Sequence, residues 1–248
     1  MLLEASAVTK QFGGFRAVSD ASISIDEGEI VGLIGPNGAG KSTMFNCLSG
    51  DLPPTSGRIV YDGRDVTRAS PEAHARLGIG RTFQVPVTFE DMTILENVMV
   101  GAFLRHAGRN AAHAAAMDIL EMTGLAPIRD RPARSLGTPG RKRLEIARVL
   151  ATRPRLLLLD EALAGLNANE IASAIQLVRA IHARGITLIV VEHVMEVIMS
   201  LAQRVLVFNQ GRVIASGAAR DVVQDAEVIR AYLGQTQWIA AAPAAAVP

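Results

Sequence analysis

The chain has a single cysteine, Cys47, and almost no net charge, 25 Lys and Arg standing against 24 Asp and Glu. One thiol excludes an internal disulfide and fits a reducing compartment. Its place in the helix that follows a glycine-rich loop marks it as a core residue. A formal charge of +1 leaves no polybasic field to hold DNA or RNA, so no nucleic-acid partner is expected. No run reaches the ~18 uninterrupted apolar residues of a membrane helix. The richest stretch, 186–201, is broken by Glu192, His193 and Glu196. The start, Met1-Leu2-Leu3-Glu4, lacks the basic residues and long apolar stretch of a secretory signal. Any service to a membrane is therefore expected to run through other subunits. There is no internal repeat. With 49% apolar and 20% charged residues in 248, the chain is globular and sized for one large domain or two small ones.

What is present centres on Gly35-Pro36-Asn37-Gly38-Ala39-Gly40-Lys41-Ser42-Thr43, which fits the Gly-x-x-x-x-Gly-Lys-[Ser/Thr] phosphate loop. An apolar strand-type run, 29–34, precedes it, and residues 44–48 continue as a helix closed by Gly50. Strand, glycine loop and helix is the order the chemistry needs. Glycines let backbone N–H groups turn inward on a triphosphate, and the helix N-terminus adds partial positive charge. Lys41 can reach the β- and γ-phosphates and the Ser42 hydroxyl can ligate Mg²⁺. A nucleoside triphosphate with Mg²⁺ is the expected ligand.

Residues 1–34 read as short strands and turns, with alternation in the second half of 17–25. Pro71 is expected at the first position of a short helix capped by Ser70, and 79–83 returns to strand. Thr93-Ile94-Leu95-Glu96 is a capping box opening a helix to about residue 104. Further helices are expected over about 110–123 and 141–152, so that 86–152 forms a helical subdomain. It would interrupt an α/β core made of 1–85 and 153–234. The tail 235–248 is expected to be disordered, with Trp238 either docked or loosely held.

Leu156-Leu157-Leu158-Leu159-Asp160-Glu161 is a buried-type strand delivering two carboxylates at its C-terminal end, where α/β ligands sit. Asp160 can hold Mg²⁺ through water, and Glu161 can polarise the water that attacks the γ-phosphate. His193, just beyond the strand over 186–191, can contact the γ-phosphate. Gln84, where the chain leaves the core for the helical segment, can touch Mg²⁺. His74, His106, His113 and His182 are expected on helix surfaces. The cluster Arg141-Lys142-Arg143 is expected as a solvated face rather than a nucleic-acid patch. The apolar loop Val85-Pro86-Val87-Thr88-Phe89 has two readings, contact with a partner protein or packing within the helical subdomain.

With these pieces in order, residues 1–234 resemble the ATP-binding cassette (ABC) ATPases. Closer matches are to the branched-chain amino acid importer subunits: Thr9-Lys10-Gln11-Phe12-Gly13-Gly14-Phe15-Arg16-Ala17-Val18, Arg81-Thr82-Phe83-Gln84, Asp91-Met92-Thr93, Leu95-Glu96-Asn97-Val98, Ala164-Gly165-Leu166-Asn167 and Val228-Ile229-Arg230-Ala231-Tyr232-Leu233-Gly234. The resemblance implies a P-loop α/β fold with a RecA-like core, an antiparallel β subdomain and a helical subdomain. It also implies an Mg²⁺-dependent ATPase on the cytoplasmic face of the inner membrane, with two permeases, a second ABC ATPase and a substrate-binding protein. Phe12 is then the residue that stacks on adenine, with Phe15 as the fallback.

The family signature, usually Leu-Ser-Gly-Gly-Gln, falls on Leu136-Gly137-Thr138-Pro139-Gly140. Gly137 stands where a serine would donate to the opposite subunit's γ-phosphate, and Pro139 has no N–H to offer. Thr138 could substitute through its hydroxyl, and Gly140 completes the segment. The usual His-Asp pair reads His193-Val194. An intact loop beside an eroded signature predicts a heterodimer over a homodimer. The rival readings are the ATPase of another ABC transporter, such as the lipopolysaccharide exporter, and a soluble ATP-driven switch.

Overall fold

A computed structural model describes residues 1–232; the expected tail, 235–248, and Trp238 lie outside the described residues. In chain order the first leg carries β1 (Leu3–Phe12), β2 (Phe15–Ile25), β3 (Ile30–Ile34), α1 (Lys41–Leu48), β4 (Ser56–Tyr61) and β5 (Arg64–Asp65). Then come α2 (Pro71–Leu77), β6 (Ile79–Arg81), α3 (Ile94–Ala102), α4 (Arg109–Met122), α5 (Thr138–Leu150), β7 (Leu156–Asp160) and α6 (Ala168–Ala183). The return leg holds β8 (Thr187–Val191), α7 (Met195–Leu201), β9 (Arg204–Asn209), β10 (Arg212–Gly217), α8 (Ala219–Val222) and α9 (Ala226–Tyr232). The chain divides into two compact units, Met1–Pro71 with the chain from Thr187 onward, and Glu72–Ile186.

The first unit holds an antiparallel sheet of order β2-β1-β4-β5. Along β2, buried Ala21, Ile23 and Ile25 alternate with Ser22 and Ser24, the period of a strand with one face on a core. The unit also contains strands in the order β10-β9-β3-β8, with β3 parallel to both β8 and β9 and a closing antiparallel hairpin β9–β10. Every residue of β3 and β8 is buried, as the unbroken aliphatic runs require. The hairpin turns on Gln210 and Gly211, both in the left-handed region, as a two-residue connection demands. Cys47 is buried in α1.

In the second unit β6 and β7 pair in parallel, with Arg81 opposite Leu158. The Thr93–Glu96 capping box forms in full: the Thr93 side chain accepts from the Glu96 N–H and the Glu96 carboxylate accepts from the Thr93 N–H. The helical segment expected over 86–152 falls inside this unit.

Three expectations are corrected. The last helix of the helical segment begins at Thr138 rather than Arg141, with Pro139 in its first turn, where a missing N–H leaves no hydrogen bond unmade. His74 is not on a surface but 1% exposed, and His106 lies in the turn after α3 with its Nε2 buried. Lys142 is not part of a solvated face; it is 8% exposed.

Candidate active site

In the first unit β3 runs straight into the phosphate loop. Gly35, Gly38 and Gly40 have φ of 153°, 79° and 102°, where a side chain is strained. A Cβ on Gly35 would stand 2.1 Å from the Phe208 carbonyl oxygen, and one on Gly40 2.3 Å from that of Ala17. The loop is thus pressed between β9 and β2. Gly40 caps α1 without a side chain, which leaves the first N–H groups of that helix open to an anion. Lys41 is buried, and its Nζ donates to the carbonyls of Gly35 and Pro36 at 2.7 and 3.0 Å. Ala39 is buried against the loop, Thr43 is half-buried, and Asn37 and Ser42 are exposed. N–H groups, one ammonium and no carboxylate make a donor set suited to a polyphosphate.

Two further parts belong to this half. β8 pairs with β3 so that Val191 stands opposite Leu33, which brings His193 out at the same sheet edge as Gly35. Phe12 and Phe15 face each other across the β1–β2 turn, 47% and 65% exposed, and the Lys10 Nζ stands 5.3 Å over the Phe12 ring. Sequence reasoning missed Tyr232. Its buried phenol is hydrogen-bonded to the backbone of Gly35, and burial pushes its titration up. In the sequence it stands only within the family match over 228–234, and no local pattern links it to a loop about 190 residues earlier.

In the second unit β7 delivers Asp160 and Glu161 as expected. Asp160 is 3% exposed and ion-paired at 3.0 Å with Arg81 from the adjacent strand. The Thr82 hydroxyl accepts from the Asp160 N–H. Glu161 has φ of 48°, a left-handed conformation costly for a residue with a Cβ. The Gln84 Nε2 donates to its carboxylate at 2.9 Å. Gln84 and Glu161 are thereby brought together, and Arg81 is the partner that pattern reading left out. No cluster of three or more His, Cys, Asp or Glu side chains occurs among the described residues.

Gly137 is the extended cap of α5, and Thr138, Pro139 and Gly140 form its first turn. One helical turn further, Glu145 accepts from the Phe83 N–H at 3.3 Å. Burial pushes its carboxyl up to about 7, against the Phe83 and Val87 N–H groups, Arg148 and Lys142, which pull it down. The folded value lies above the unfolded one, so the stability this group supplies is present in acid and lost as pH rises through about 5 to 7. Urea titrations should show E145Q gaining roughly 1–3 kcal/mol on the wild type between pH 5 and pH 8. Parallel pH profiles for the two proteins would refute the shift.

Comparison with known proteins gives this geometry a family. Residues 18–164 match the family model described as ABC transporter, and 212–236 match that of the branched-chain amino acid ATP-binding cassette transporter. The chain is 38% identical over 250 residues to the high-affinity branched-chain amino acid transport ATP-binding protein BraF of Pseudomonas aeruginosa, covering 94% of this chain and 98% of that one. It is also 38% identical to LivG of Salmonella typhimurium and 31% identical to the probable LivG of Methanocaldococcus jannaschii, at the same coverage. Among solved structures, the ADP conformation of MJ1267, an ATP-binding cassette of an ABC transporter, superposes with a TM-score of 0.85. It is 31% identical and covers 94% of this chain and 99% of that one. The protein belongs to the ABC transporter family, as one of its ATP-binding ATPase cassettes.

Proposed function

We propose that this chain powers an importer of branched-chain or related amino acids from the cytoplasmic face of the inner membrane. The observation that carries the reading is 38% identity along nearly the whole chain to a transport ATP-binding protein for those solutes. Two permeases, a second ABC ATPase and, through the permeases, a substrate-binding protein are the partners. No helix among the described residues is long and apolar enough to cross a membrane.

Lys41 and the N–H groups of the loop hold the phosphates, Phe12 stacks on adenine, and Ser42, Asp160 and Gln84 stand as the Mg²⁺ ligands. Held there, Mg²⁺ would supply charge neutralisation to the phosphates. Glu161 takes the proton of the attacking water, and His193 contacts the γ-phosphate. Segment 86–152 acts as the helical subdomain. Val85 and Val87 are 74% and 57% exposed, and Val87, Phe89, Val100 and Leu104 border a shallow groove of about 390 Å³. An apolar patch of that kind marks a docking surface, here for a permease.

Gly137, Thr138, Pro139 and Gly140 offer a weak γ-phosphate contact to a facing subunit, which favours a heterodimer. Tagged E161Q, drawn from gently solubilised membranes with ATP, should bring down multi-pass permeases and a second cassette ATPase. Recovery of soluble proteins alone would refute the transporter reading. Light scattering of purified E161Q with ATP should give a monomer mass; a tight homodimer would refute the asymmetry.

A further inference from the structure

Helix α5 carries three charged residues at three-residue spacing, Lys142, Glu145 and Arg148, which share one face. The three reach two different loops. The Lys142 Nζ donates to the carbonyl oxygens of Glu161 at 2.9 Å and Ala164 at 2.7 Å. Glu145 accepts backbone N–H bonds from Phe83 and Val87. The Arg148 guanidinium donates to the Val87 carbonyl and stands 5.2 Å over the Phe89 ring. One face of one helix therefore fixes both the strained loop that bears Glu161 and the exposed apolar segment 83–89.

A buried lysine is costly, and retaining one needs charge-assisted bonds that an apolar residue could not make. Here those bonds go to the backbone at the one carboxylate whose φ, 48°, lies in the left-handed region beside β7. An outlier of that kind persists only where the surroundings over-determine it. The Gln84 amide, which holds the carboxylate itself, is part of the segment that Glu145 and Arg148 tie down. Backbone and side chain of Glu161 are thus referred to the same helix.

We propose that Lys142 is a positioning residue for Glu161. It clamps the loop 161–164 to α5, so that a partner docked on segment 83–89 and the carboxylate move as parts of one body. The proposal rests on Glu161 acting as the base in turnover.

The test uses the full chain with K142M, K142Q and K142R, and E161Q alone and combined with K142M. In the nucleotide-free protein, hydrogen exchange at amides 161–166 should quicken at least ~10-fold in K142M, with the rest of α5 unchanged and K142R close to wild type. ATP turnover should fall ~10-fold in kcat with KM within about twofold, and K142M should add nothing to E161Q. K142Q, which keeps one donor, should lie between and serves where K142M melts early. Unchanged exchange at 161–166 in both K142M and K142Q would overturn the clamp. A K142M loss that multiplies with that of E161Q would overturn action through Glu161. A fully active E161Q would instead remove Glu161 from the chemistry and leave the exchange result to decide the clamp by itself.

Discussion

Full-length E161Q is expected to bind ATP with near wild-type affinity and to turn it over at least ~100-fold more slowly. The substitution is nearly isosteric. The Gln84 Nε2 donates to one carboxylate oxygen, an acceptor that the amide retains, and the two Lys142 bonds go to backbone carbonyls the change does not touch. Loop geometry should survive, so the loss falls on proton abstraction from water, which an amide cannot perform. Phosphate release under saturating ATP, set against equilibrium binding of a fluorescent nucleotide, separates the two effects. Near-normal turnover would refute the role. A parallel loss of binding would mean that the carboxylate shapes the site instead.

The second large effect is structural. G35A should melt about 10 °C below the wild type, from the few kcal/mol that a backbone clash in a packed core typically costs. It should also bind ATP at least ~10-fold more weakly. A methyl group at this position meets the Phe208 carbonyl oxygen at 2.1 Å and the Ala39 Cβ at 3.3 Å, on a backbone with φ of 153°. Phe208 belongs to β9, whose neighbour Val207 pairs with Ile34 at the end of β3, so relief requires the two strands to part. Gly35 also anchors the Lys41 ammonium through its carbonyl, and Tyr232 through its backbone. The control is G38A: Gly38 has φ of 79° but open space around it, and only the ~1 kcal/mol of left-handed strain should appear. Equal melting of the two variants would show that the contact with β9 is not what costs stability.

The parts of the site legible in the sequence are those whose chemistry is local. The phosphate loop needs its glycines, lysine and serine in one run, and a strand ending in Asp160-Glu161 announces itself by four preceding leucines. The Thr93 capping box was readable for the same reason. What escaped depends on partners far along the chain. Lys142 looks like part of a solvated triplet until the carbonyls 19 and 22 residues on are seen to take its ammonium. Arg81 reads as a strand-end charge until Asp160, 79 residues later, is placed beside it. His74 belongs to a short helix whose period cannot say which face is covered. Helix α5 begins at Thr138 and not at the expected Arg141, because Pro139 in a first turn leaves no helical hydrogen bond unmade.

The Arg81–Asp160 pair bears on how a nucleotide engine passes through its empty state. If Asp160 holds a divalent ion, as proposed, a carboxylate this well shielded from water would without Arg81 be an uncompensated charge whenever that ion left with product, and removing one member of a buried pair typically costs ~3–5 kcal/mol. The guanidinium at 3.0 Å is a permanent counterion, covalently part of the subunit and independent of its cargo. Release of product therefore need not strip the carboxylate of all its compensation, and the resting protein is no hostage to its fuel.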